Sequence, residues 1–299
     1  MSRKIIYLIN PISGNKAKSS LKELISRKTT EKKIAFEFIH TNAEGEYGFL
    51  KNKIAKEGVT DIVICGGDGT VSAVASGLMG IAVRIGIIPA GSGNGLAFAA
   101  KIPKQHAKAL DIIFKGKAGT IDGFYINDRF SCMLCGLGFD AGVAHAFAKQ
   151  KKRGLQTYIR VSFIHFFKAK TYPFEIRLKE RAFHTEAFFI NIANSNQFGN
   201  NVTIAPKARL NDGLLDVVVV KKMSRFLLPF SILGQITGIN ALQNIHDYAT
   251  KKNIIYFQTS SLTIENPSKA MLHIDGDPAA TSGKFIIKTV RDAINLIQP

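Results

Sequence analysis

Three cysteines in a chain of 299 residues leave nothing from which to build a disulfide framework, and an odd number suits a reducing cytosol. Cys132 and Cys135 form a C-x-x-C, but no second such pair and no histidine pair stands at a spacing that would complete a zinc site. They read as small apolar residues of a buried strand. The apolar part of MSRKIIYLINP is too short for a signal peptide. No hydrophobic run reaches the ~20 residues of a bilayer span. The greasiest, FLLPFSILGQITGI at 226–239, is shorter and contains Pro229. Acidic residues are scarce, 22 against 40 Lys and Arg, for a formal charge of +18. Such a balance favours anionic partners such as nucleotides, nucleic acid or anionic lipid surfaces. The basic–aromatic patterns of nucleic-acid modules are missing, and no nucleic-acid partner is expected. Internal repeats and low-complexity linkers are also missing.

What is present is an ordinary globular composition, 46% hydrophobic and 21% charged, long enough for two domains. In the first third, strand-length apolar runs (KIIYLINP, IAFEFIHT, DIVICGG, VRIGIIPAGSG) alternate with helical segments (KSSLKELISRK, EYGFLKNKIAKEG, TVSAVASGLM, HAKALDIIFKG). That alternation predicts an open α/β domain with a parallel sheet covered on both faces. From about residue 120, strand-like segments follow one another with little helix between them, which predicts a mainly antiparallel β-sandwich. The expected division is 1–120 and 121–299, with the extreme C-terminus free to return to the first domain. RFSCMLCGLGFD is expected as one strand. In the helical stretch up to Lys170, Phe163, Phe166 and Phe167 are expected in the core. The stretch 226–238 suits a core and a membrane surface about equally.

Gly66, Gly67 and Gly69 surround Asp68 and Thr70 in GGDGT, directly after the third strand and before a helix. Ligands of open parallel sheets bind beyond the carboxyl ends of the strands, where a bare backbone approaches closely and a helix N-terminus offers N–H groups to an anion. A tight turn with an N-cap would account for one glycine and one aspartate, but not for three glycines. A second such turn carries Gly91, Gly93 and Gly95, and a third carries Asn10, Ser13, Gly14 and Asn15, so three strand ends form one floor for a phosphate-bearing ligand. A carboxylate repels phosphate, so Asp68 belongs there only to hold a cation, orient a hydroxyl or accept a proton. This points to phosphoryl transfer.

The motifs NPISG (10–14), GGDGT (66–70), IPAGSGNGLA (88–97), GFD (138–140), FGNNVTIAPKARLNDGLLDVVVV (198–220) and IDGD (274–277) resemble those of the diacylglycerol kinase catalytic domain family of lipid kinases. The GGDGT block is shared with NAD kinases and phosphofructokinases, while the later block is far more specific. The resemblance implies ATP binding by Asn10, Pro11, Ser13, Gly14, Thr41, Gly66, Gly67, Asp68, Gly69, Thr70, Ser72, Gly91, Ser92, Gly93 and Asn94. It implies a Mg²⁺ site at Arg209, Asp212 and Leu214, with backbone carbonyls from the flanking residues, and a general base at Asp277, with Asp68 facing it across a cleft. Two positions depart from the family. Its D-G-E ends here in Asp277, one methylene shorter, and Gly95 stands where bacterial members have aspartate. The implied activity is transfer of the ATP γ-phosphate to a hydroxyl of a diacylglycerol or sphingoid-type lipid, by a cytoplasmic protein peripheral to an anionic membrane. A homodimer is compatible with this reading. Its rivals are a soluble NAD kinase-like phosphotransferase and a non-catalytic basic module.

Overall fold

The apolar run KIIYLI forms β1 (Lys4–Ile9) and is followed by α1 (Asn15–Glu31), β2 (Ala35–His40), α2 (Phe49–Glu57), β3 (Asp61–Gly66), α3 (Asp68–Leu78), β4 (Arg84–Pro89), α4 (Gly95–Ala99) and α5 (His106–Lys115). This computed structural model describes residues 2–9, 15–42, 45–150, 155–167, 169–197, 203–224, 226–239, 242–243 and 252–299. Its chain divides into two units, Met1–Ile121 with Asp292–Pro299, and Asp122–Arg291.

In the first unit β2, β1, β3 and β4 lie side by side in that order, all parallel. Ile5, Tyr7, Ile9, Val63, Cys65 and Ile88 pack with Leu21 and Ile25 of α1 and Leu110 and Ile113 of α5. Their strand neighbours Ile6, Leu8, Ile62 and Ile64 are buried as well, so both faces are covered, as an all-parallel sheet requires. At the amino ends of the strands the buried Asp61 receives Arg3 and Arg84, each through an N–O distance of 2.8 Å. Those ion pairs close the edge of the sheet away from the glycine-rich turns.

The chain enters the second unit along β5 (Lys117–Ile126) and continues through β6 (Arg129–Ser131), β7 (Leu134–Gly138), α6 (Phe139–Ala148), α7 (Leu155–Phe167), β8 (Tyr172–Arg177), β9 (Ala182–Ala193), β10 (Leu215–Lys221), α8 (Leu228–Ile236), β11 (Ile254–Thr259), β12 (Ser261–Glu265), β13 (Leu272–Ile274), β14 (Asp277–Ala279) and β15 (Lys284–Gln298). The pairings β13–β14, β13–β7, β7–β9, β8–β9, β9–β10, β10–β11, β12–β8 and β12–β15 are all antiparallel. β9 is the hinge of this arrangement. Its first half pairs with β8 and alternates between exposed and partly buried residues; its second half pairs with β7 and β10 and is wholly buried. Phe174, Ile176, Ile190, Ile192, Val217, Val219, Phe257 and Phe285 fill the core that results. The last residues of β15 leave this unit and join the first, where Asn295 and Leu296 pair parallel with Arg84 and Ile85.

Two local expectations fail. The segment RFSCMLCGLGFD is not one strand: β6 and β7 are separate, Cys132 lies between them, and Phe139–Asp140 already opens α6. Phe163 does not enter the core but is 64% exposed, and Ile164 beside it is exposed too. Apolar spacing marks a helix face without saying whether anything covers it. Phe166 is half-buried, and the side chain of Phe167 lies outside the described residues. Among the described residues no helix is long and apolar enough to cross a membrane.

Candidate functional site

The order β2-β1-β3-β4 reverses direction at β1, so the exits of β1 and β3 flank the crevice where ligands of open α/β sheets bind. Asn10, Pro11, Ser13 and Gly14, at the exit of β1, lie outside the described residues. The exit of β3 is fully described. Gly66 is its last residue, Gly67 is the N-cap of α3 in an extended conformation, and no side chain caps this helix end. The first intrahelical bond runs from Val71 N–H to Gly67 O at 3.1 Å, so the N–H groups of the preceding residues have no partner within the helix. With the positive end of the helix dipole, this makes the turn suited to an anion.

The glycines at 67 and 91 are required by each other before any ligand is considered. A Cβ on Gly67 would lie 3.1 Å from Gly91 Cα, and a Cβ on Gly91 would collide with the Gly67 backbone. The two βα turns therefore touch backbone to backbone. Asn94 closes the second turn on itself: its Oδ1 accepts Gly91 N–H and its Nδ2 donates to Gly91 O, both at 2.8 Å. Asn94 does this from a left-handed backbone at φ 57, buried, while Ser92 remains exposed and Gly93 half-buried between them.

Asp68 joins the turns a second time. Its carboxylate accepts Gly95 N–H at 3.0 Å and Leu96 N–H at 3.2 Å, the first turn of α4. This linking role was not among those expected of it. Gly69 and Thr70 follow in the first turn of α3, with Thr70 folded back over Gly66, and Ser72 is buried one turn further on. Thr41, at the exit of β2, is buried, donates its N–H to Ile9 O at 3.0 Å and shares a side-chain hydrogen bond with Tyr47.

In the second unit, Arg209, Asp212 and Leu214 lie on the loop leading into β10. Asp212 Oδ1 accepts Leu214 N–H at 3.0 Å. The loop is pinned by Asp122, a buried residue of β5, whose Oδ2 accepts Gly213 N–H at 2.7 Å and whose N–H donates to Leu210 O at 2.6 Å. Asn194 holds the other side of the anchor, donating to Asp122 O at 2.9 Å and Cys132 O at 3.1 Å. Asp122 and Asn194 escape motif-based reading; the one available signal was a solitary carboxylate inside the apolar run of β5. Below the loop, the buried Asp216 accepts from Tyr256 Oη and Gln258 Nε2. Burial first, and the charge of Asp212 second, push its carboxyl up to about 6 against the pull of those hydrogen bonds.

Asp277 begins β14 and is exposed, opposite Ile274 across a two-residue turn. Its unit is not that of Asp68. Burial, and the negative charges of Asp275 and Asp140, hold the Cys135 thiol well above its ordinary value, so Cys135 supplies no reactive thiolate. All three cysteines are free and buried.

A parallel sheet with bare turns at its switch point, followed in the chain by an antiparallel sheet unit, defines the NAD kinase-like class of α/β folds. Sequence profiles place the chain within that class. The diacylglycerol kinase catalytic domain matches residues 4–126, and the YegS C-terminal NAD kinase beta sandwich-like domain matches residues 134–297. The chain belongs to the YegS-like family of lipid kinases. It is 30% identical to a Yersinia enterocolitica protein named "Probable lipid kinase YegS-like" over 87% of each chain. A protein of the same name from Pectobacterium atrosepticum is 28% identical over 87% of this chain and 86% of its own. A Bacillus anthracis crystal structure described as a diacylglycerol kinase superposes with a TM-score of 0.73 at 18% identity, covering 99% of this chain and 97% of that one. At that identity the likeness shows the fold.

Proposed function

We propose that the protein transfers the γ-phosphate of ATP to the hydroxyl of a diacylglycerol or sphingoid-type lipid at an anionic membrane surface. The reading is carried by one observation: two glycine turns in backbone contact, tied by Asp68, at the carboxyl ends of neighbouring parallel strands, one of them beside the switch point. The bare N-terminus of α3 receives the phosphates, and the glycine contact keeps side chains out of their way. Phosphoryl transfer asks little of a protein beyond positioning and charge stabilisation, and rigid turns supply positioning.

The loop from Arg209 to Leu214 suits a hard cation. One carboxylate, Asp212, stands in a turn pinned by Asp122, and carboxylate and carbonyl oxygens are the ligands such a cation takes. A Mg²⁺ keeps several waters and needs few protein ligands. Asp212 and the carbonyls of Arg209 and Leu214 would hold it; when bound it supplies fixed positive charge to the substrate-binding unit. Asp277, which is exposed, is the proposed base for the acceptor hydroxyl.

The route to the lipid is α8. Phe230 and Leu233 of this helix and Phe226, Leu227 and Ile239 beside it are all exposed, Phe226 by 87%, while Leu228 and Gln235 are buried. Lys222, exposed and paired with Glu186 Oε2 at 2.6 Å, precedes it in a chain of net charge +18. An outward apolar face on a strongly basic chain fits the interface of an anionic bilayer.

The test offers γ-labelled ATP with diacylglycerol, sphingoid base, ceramide and phosphatidylglycerol in mixed micelles, and with NAD in parallel. Label in a lipid and none in NAD is expected. Label in NAD alone would transfer the assignment to the soluble phosphotransferase reading, and none in either would leave the lipid kinase reading without support.

A further inference from the structure

The hairpin that presents Asp277 is short, three residues in β13 and three in β14, joined by Asp275 and Gly276 at φ 54 and 82. Asp-Gly with both φ positive is the favoured chemistry for a two-residue hairpin. The turn is gripped from two sides. On one, Asp275 Oδ1 accepts Ser131 Oγ–H at 2.6 Å and Leu134 N–H at 3.3 Å, while Asp275 N–H donates to Leu134 O at 2.9 Å. On the other, Gly276 N–H points at His273 Nδ1 at 3.3 Å.

A backbone N–H can only donate, so Nδ1 accepts and the ring hydrogen sits on Nε2. Nε2 faces Asp140 Oδ2 at 3.3 Å, and Asp140 Oδ1 is taken by Ala141 N–H at 2.8 Å. His273 is 1% exposed and Asp140 7%. The pair occupies space that glycine alone leaves: a Cβ on Gly136 would collide with both Asp140 Oδ2 and His273 Nε2. The helix α6 that carries Asp140 grips β13 again through His145 Nε2 and Leu272 O at 2.9 Å. A buried imidazole–carboxylate pair costs desolvation that apolar residues would avoid, and the β13–β14 ladder does not need it. The pair reaches the turn through Gly276 N–H.

We propose that His273 is a positioning residue: Asp140 fixes its tautomer, Nδ1 fixes Gly276, and the Asp277 carboxylate is thereby held in place. The proposal rests on the reading of Asp277 as base, and its test separates the two. Histidine ¹⁵N resonances report the tautomer of His273, and amide exchange reports Gly276, neither requiring activity. Transfer from labelled ATP to the most active lipid of the micelle panel is then compared in Asp277→Asn, His273→Phe and His273→Asn.

The expected result is an unprotonated Nδ1, and a His273→Phe kcat at least tenfold lower with KM for ATP unchanged. Gly276 exchange should be faster in His273→Phe, and both properties should be largely restored in His273→Asn, whose Oδ1 can accept the same N–H. His273→Asn also serves as the informative variant should His273→Phe not fold. A protonated Nδ1 at neutral pH would overturn the proposal. So would full kcat in His273→Phe where Asp277→Asn is inactive. A fully active Asp277→Asn would overturn the base assignment, and the positioning claim with it, whatever the tautomer.

Discussion

Asp68 and Asp277 are both aspartates beside glycine, yet the two units hold them in opposite ways. Asp68 is a structural member of its own site: its carboxylate bonds to two N–H groups of the next turn, and the turn around it is packed against that neighbour. Asp277 is exposed at the exit of a hairpin whose rigidity comes from Ser131, Leu134 and His273. In the first unit the candidate residues build the scaffold. In the second, other residues build it and leave the candidate carboxylate outward. Activity and stability should therefore be coupled at Asp68 and separable at Asp277.

The largest effect expected is at Asp277: Asn there should lower turnover by roughly a thousandfold, in line with loss of a positioned general base, while the thermal midpoint stays put. Asp68→Asn should also lower turnover, but with a loss of about 1 kcal/mol of stability, since an amide oxygen replaces a carboxylate facing two donors. An Asp68→Asn variant as stable as the parent would erase the contrast between the units. Next in size is membrane attachment. Phe230→Asp with Leu233→Asp should cut sedimentation with anionic vesicles at least tenfold, because each buried apolar side chain is worth about 1.5–3 kcal/mol. Binding that is unchanged, or indifferent to lipid charge, would remove α8 from the account. Gly91→Ala is expected to destabilise by about 1–3 kcal/mol through overpacking against Gly67; calorimetry showing no change would mean that the turns separate freely.

How much of this was open to reading beforehand follows the range of the interactions. Apolar runs such as KIIYLI and DIVICG, buried on both faces, announce a parallel sheet, and the bare glycine turns after them raise the expectation of a phosphate site. Both are local signals, and the lipid kinase motifs reinforced them. The β11 and β15 strands carry no motif, and register alone places them, against β10 for one and against β12 and β4 for the other. That Gly67 serves Gly91, or that Asp68 reaches residues 27 and 28 positions away, is a tertiary fact without a local cue. The same holds for His273 and Asp140, 133 residues apart in the chain. The exposed apolar face at Phe163 and Ile164 shows the complementary failure: spacing predicts a helix correctly but not which faces are covered.

The most direct test of the proposed lipid kinase activity, and of its two candidate carboxylates, is label transfer from ATP to micellar lipid by the Asp68→Asn, Asp277→Asn double variant. The account predicts no transfer above the enzyme-free background, with a circular dichroism spectrum matching that of the parent. Transfer at the parental rate by the folded double variant would contradict it.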